Sequence, residues 1–148
     1  MMRARMFVIA AGVALLGFAP APLPRQQRQR EDQADVTGTW RFVLWEENGQ
    51  RDQKAEAAFQ VRMTTEEFAF VAARGGKDGG KFVMCLEPQA APPAFTWSRS
   101  DFVRFVGSYR IQGGEITMIF NRGYRLGQRP TDFAGKAENR FVLRRVAR

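Results

Sequence analysis

The sequence predicts an all-β domain, an antiparallel meander of about eight short strands closed into a barrel or folded as a sandwich. Three observations predict it. From residue 36 onward apolar side chains recur with period two rather than 3.6, as on strands with one buried face. Glycine-containing turns punctuate the chain at short, roughly regular intervals: Asn48-Gly49, residues 73–80 (ARGGKDGG) and Gly113-Gly114. No segment of the domain carries a convincing helical period.

Taken in order, residues 39–46 (TWRFVLWE) set Trp40, Phe42 and Leu44 on one face and Arg41, Val43 and Trp45 on the other. After Asn48-Gly49, residues 58–63 put Phe59, Val61 and Met63 opposite Gln60 and Arg62, and residues 67–72 repeat the device with Phe68 and Phe70. Residues 81–87 (KFVMCLE) are apolar on both faces, which predicts a well-covered strand with Cys85 as a small inert core residue. The proline-rich run 88–93 breaks the chain before a short strand around Phe95 and Trp97. Val103, Phe105, Gly107, Tyr109 and Ile111 then alternate with Arg104, Ser108 and Arg110; after Gly113-Gly114, Ile116, Met118 and Phe120 point inward. A glycine- and arginine-rich loop spans residues 122–132, and residues 140–146 close the chain with Phe141 and Leu143 inward. Closure would remove the edge strands that otherwise invite aggregation.

The N-terminus is foreign to this pattern. Arg3 and Arg5 precede an uncharged apolar run, residues 6–18, and then small residues and prolines to Pro24. That order predicts a secretory signal over residues 1–24. Ala19-Pro20-Ala21 fits a cleavage site, yet Pro22 directly after it makes a poor substrate, so an uncleaved signal anchor stays open beside a released protein. Residues 25–35 (RQQRQREDQAD) hold too little apolar surface to fold and read as a polar flexible linker. The domain is then residues 36–148, working outside the cytoplasm, periplasmic or secreted.

Composition narrows the chemistry. The chain has no histidine and one cysteine, Cys85, so Ser-His-Asp and Cys-His catalysis, Cys-x-x-Cys zinc binding and an internal disulfide are all excluded. The paired acids Glu46-Glu47 and Glu66-Glu67 point to opposite faces if they lie in strands, which defeats a simple two-carboxylate hydrolase within either pair. These points predict a protein that is not an enzyme and takes no cofactor and no metal. Residues 36–148 carry 18 basic and 12 acidic side chains, a net +6, which favours anionic partners. Export leaves nucleic acid the least suited of them, and membrane attachment is expected only through an uncleaved anchor.

An ordered set of segments carries a resemblance: Val36-Thr37-Gly38-Thr39-Trp40-Arg41, the G-x-Y-x-I-x-G-G run over residues 107–114, Met118-Ile119-Phe120, Arg129-Pro130-Thr131-Asp132-Phe133, and Phe141-Val142-Leu143-Arg144-Arg145-Val146. Together they resemble a lipocalin-like domain recurrent in planctomycete bacteria, often exported, over nearly all of residues 36–146. The resemblance implies a small eight-stranded lipocalin-like barrel and supplies no activity. Residues 88–99, rich in proline and tryptophan, depart from its pattern.

Candidate sites follow. Gly38 and Trp40 open the first strand, where Trp40 either lines a ligand cavity or plugs one barrel end beneath Arg144 or Arg145 through cation–π contact. In residues 129–133, Pro130 fixes φ and Asp132 caps backbone amides or pairs with Arg129. The loop residues Arg122, Tyr124, Arg125 and Arg129 gather three cations and an aromatic, a set suited to an anionic or sugar-like ligand at a barrel mouth. Trp45 and Trp97 would add an apolar platform if they faced outward. The leading expectation is a non-enzymatic binding domain taking a small amphipathic or anionic ligand in, or at the mouth of, the barrel. The alternative is a structural or interaction module with a filled core, binding anionic envelope surfaces or a protein partner.

Overall fold

A computed structural model describes residues 36–100, 103–123 and 125–147, with only the backbone of Val103. The expected signal (1–24), linker (25–35) and Tyr124 lie outside the described residues. The fold is a closed antiparallel barrel. Its strands are β1 (Gly38–Glu47), β3 (Phe59–Met63), β4 (Glu67–Ala72), β5 (Lys81–Glu87), β6 (Ala94–Ser100), β7 (Val103–Gln112), β8 (Glu115–Arg122) and β9 (Asn139–Arg145). Each pairs with the next in this order, and β9 pairs back to β1 from Trp40↔Arg145 to Glu47↔Asn139. A two-residue strand β2 (Gln50–Arg51) hangs on β1 as an extra hairpin arm through Asn48-Gly49, both at positive φ.

Local chemistry departs from the simple alternation in three places. First, a bulge between Phe42 and Leu44 puts one extra residue in β1, so Phe42 and Trp45 both face the core and Leu44 does not join it. Their rings stand 4.7 Å apart. Secondly, residues 53–58, where no helix is expected from sequence, form a short helix α1 (Gln53–Ala58). Asp52 caps it by accepting from the Lys54 and Ala55 amides, and the alanines carry little cost in a helix. Thirdly, β5 is not covered on both sides. Phe82, Met84 and Leu86 face in, while Val83 is 62% exposed and Cys85 is exposed, so the expectation of a core cysteine fails.

Gly107 in β7 marks the tightest point of the wall. A Cβ there would lie 2.5 Å from the Ile119 carbonyl oxygen, 2.5 Å from the Phe95 ring and 2.7 Å from Phe120 Cβ. Only glycine lets β7, β8 and the Phe95 ring approach so closely.

The interior is filled by rings. Phe68 and Trp97 centroids are 4.2 Å apart, Trp97 and Phe120 4.8 Å, and Phe120 and Phe141 4.9 Å. Phe70 on β4 reaches Phe141 on β9, and Trp97 on β6 also reaches Phe141, each at 6.2 Å and each three strands away around the barrel. Side chains from facing walls therefore meet in the middle, with Met63, Met84, Ile116, Met118 and Leu143 packed among them.

Candidate functional site

The barrel has two chemically different ends. At the end where β1 starts, Trp40 is buried; its indole N–H donates to the Val36 carbonyl at 2.9 Å, and the Arg145 guanidinium lies 4.4 Å above its ring. Arg145 also donates to the Thr37 carbonyl. Gly38 makes room for this cover: its φ is +145°, and a Cβ would sit 3.0 Å from the Arg145 side chain. Arg144 points away and pairs instead with Glu115 across the β8–β9 ladder. Trp40 thus closes this end as a plug, and the described chain enters beside it at Val36.

The opposite end carries a closed circle of aromatic rings, each from a different strand. In order these are Trp45, Phe59, Phe70, Phe82, Phe105, Phe120 and Phe141, back to Trp45, with neighbouring centroids 4.8–6.3 Å apart. Trp45, Phe59, Phe70, Phe82 and Phe105 are only partly buried. Trp45 and Trp97, considered above for an outward platform, belong to this circle and to the core beneath it.

Two elements frame one side of this end. The helix α1 lies against the second half of β1, beyond the residues that β1 pairs with β3. Glu56 ties it down, accepting from the Trp45 amide at 2.9 Å and from Arg51 Nε and Nη2. The turn over residues 73–80 folds back on β4: Phe70 N–H donates to the Gly80 carbonyl, Gly79 N–H to the Phe70 carbonyl and Ala72 N–H to Asp78. Between them opens a cleft of about 550 Å³, lined by Lys54, Ala57, Ala58, Phe59, Ala72, Arg74, Gly76 and Lys77.

The hydrogen bonds from Arg51 hold the Glu56 carboxyl below the usual glutamate range, against the opposing effect of partial burial; the Trp45 amide lowers it further. A carboxylate depressed in the folded state contributes stability that is full above its unfolded value of about 4.3 and is lost as pH falls through the folded value. Glu56→Gln is therefore expected to lower the melting temperature at pH 7, and the gap to the native protein should close below roughly pH 4. Melts across pH check this; a gap that stays constant to pH 3 would remove Glu56 from this role.

The arginine-rich loop, expected at the mouth, runs elsewhere. Residues 125–138 lie along the outer wall over β7 and its neighbours. The buried Ser108 hydroxyl donates to the Pro130 carbonyl at 2.6 Å, Arg110 stands 4.7 Å over the Phe133 ring, and Arg140 donates to the Phe133 and Gly135 carbonyls. Arg129 donates to the Leu126 and Pro92 carbonyls. Asp132 accepts from the Ala134 amide, a local cap and not a pair with Arg129. Residues 129–133 are thus a latch that fastens a strap to the barrel. Arg122, whose amide donates to Glu138, and Arg125, whose amide donates to Gln128, remain exposed near the aromatic end. Arg125 and Arg129 flank the single helical turn over residues 126–128, with the Arg129 guanidinium turned to the Leu126 and Pro92 carbonyls.

Sequence reasoning missed Lys54, Phe59, Arg74 and Lys77 as a group. The available signal was the Asp52 cap ahead of residues 53–58, which would have placed a helix beside the turn carrying Arg74 and Lys77. Among the described residues, no acidic and cysteine side chains cluster in a way that could hold a metal, and no helix is long and apolar enough to cross a membrane. A scan against models of protein families, a search of curated proteins and a search of solved structures find no match to this chain.

Proposed function

We propose that the protein is a non-enzymatic extracytoplasmic interaction module that engages an anionic envelope surface through the exposed cations around its aromatic end. The observation that carries this reading is the contact of rings across the barrel, from Phe70 to Phe141 and from Trp97 to Phe141. Interior carriage of a small ligand, the other expectation from sequence, would need those rings displaced. The exterior offers cations instead: Arg122 and Arg125, and Lys54, Arg74 and Lys77 on the far side of the same end. The signal-like N-terminus and the resemblance to an exported lipocalin-like family support the location.

The test is retention on vesicles of phosphatidylglycerol mixed with phosphatidylcholine, against phosphatidylcholine alone. Binding is expected only to the anionic vesicles and should be lost at roughly 1 M salt, where screening leaves a range of about 3 Å. Each cation at such a surface contributes about 1 kcal/mol, so replacing Arg122 and Arg125 together with serine should weaken retention roughly 10- to 30-fold. Equal retention on neutral vesicles, or a stoichiometric small molecule released on denaturing protein purified from its own host, would overturn the reading.

A further inference from the structure

The cleft beside α1 combines two features that no packing demand explains. Its floor is apolar: the partly buried Phe59 ring, Ala57 and Ala58 of α1, and Ala72 of β4. Its rim is cationic, with Lys54 on the helix and Arg74 and Lys77 on the turn. Among the described residues no acidic side chain lines it. The acids nearest in sequence are already engaged, Glu56 by Arg51 and the Trp45 amide, Asp52 by the helix amides and Asp78 by the Ala72 amide. Among the described residues Lys54, Arg74 and Lys77 make no ion pair. Leaving three cations together without a counter-charge costs repulsion, which an anion seated between them would relieve.

The geometry points to a binding site for the phosphate headgroup of an anionic lipid, with the glycerol and first methylenes laid on Phe59 and the alanines. The inference rests on the surface-binding reading above and deepens it by naming the site. An arginine fork suits two phosphate oxygens at once, while the two lysines act as point charges on either side. The rim is held by structure and not by chance placement. Asp52 and Glu56 fix the helix, and the 73–80 turn is closed by the amide contacts of Phe70, Ala72 and Gly79, while Ala73 N–H donates to the Ala58 carbonyl and so joins the turn to the end of α1.

The experiment uses the full chain, titrated with hexyl phosphate as a single-chain stand-in and with inorganic phosphate and hexanol as controls, alongside vesicle retention. Two variants leave the ring circle intact: Arg74→Glu with Lys77→Glu, and Ala57→Glu, which sets a carboxylate in the cleft. One saturable site for hexyl phosphate is expected, weakened more than about tenfold in both variants, with a parallel fall in retention on phosphatidylglycerol vesicles. Inorganic phosphate binding as tightly as hexyl phosphate would overturn the apolar floor. Hexyl phosphate failing to bind, or binding both variants like the native protein, would overturn the cleft; vesicle retention surviving in those variants would then leave the general surface reading standing. Cleft-dependent hexyl phosphate binding without vesicle retention would overturn the lipid source and the surface reading together, leaving soluble phosphate esters.

Discussion

Gly107→Ala is expected to lower the melting temperature by roughly 10–20 °C, from a cost near 3 kcal/mol at the upper end of overpacking. The new methyl would lie 2.5 Å from the Ile119 carbonyl oxygen, a backbone atom on the paired strand that cannot rotate away. The Phe95 ring, also at 2.5 Å, is wholly buried and touches Trp97, Tyr109 and Phe120, so relief there spreads through the core. Gly127→Ala is the control: among the described residues no atom lies within 4 Å of its would-be Cβ, and its backbone carries no positive φ. That variant should melt within a degree or two of the native protein. Comparable melting of the two variants would mean that β7 and β8 are not packed as closely as described. Against a total stability of about 5–15 kcal/mol, a bulkier valine at residue 107 should prevent folding altogether.

Much of the barrel was legible because period two survives along most strands. Phe59, Val61 and Met63, or Ile116, Met118 and Phe120, sit where alternation puts them. The closure of β9 on β1 adds nothing to that pattern, and so barrel and sandwich were equal from alternation alone. The failures have specific causes. A bulge inserts one residue without altering composition, so nothing in TWRFVLWE says that the phase slips after Phe42 and turns Trp45 inward. The apolar outer face of β5 promised a cover that never comes, and Val83 stays exposed. The strap is the converse case. Ala94, Val106, Ser108 and Ile119 occupy outward positions on β6, β7 and β8 yet are wholly or almost wholly buried. Val106 and Ile119 break the alternation in their strands, and that break was the sign that something lies over the wall. The loop of residues 125–138 does, which is why Arg129 serves the latch and not a mouth, while Asp132 caps a backbone amide as expected.

Trp97 tests whether the interior is packing or lumen. It is 2% exposed and its ring meets those of Phe68, Phe82, Phe95, Phe120 and Phe141. Truncation to alanine removes the common neighbour of five rings and is expected to cost about 3–5 kcal/mol, since large aromatic truncations lose both transfer energy and contacts across the resulting void. The void is apolar, so it should stay dry and take up a small apolar guest such as benzene, raising the variant's melting temperature while leaving the native protein's unchanged. Trp97→Phe separates volume from polarity. Among the described residues the indole N–H has no hydrogen-bond partner, a cost of about 1–3 kcal/mol that phenylalanine would not carry. Loss of volume and relief of the unpaired donor then oppose one another, and the phenylalanine variant should fall within about 1.5 kcal/mol of the native protein. Denaturant melts of the three proteins decide it. A mild alanine variant, or a native protein stabilised by benzene, would mean that rings do not fill the barrel, and the ligand-carrier reading would return in place of the surface one.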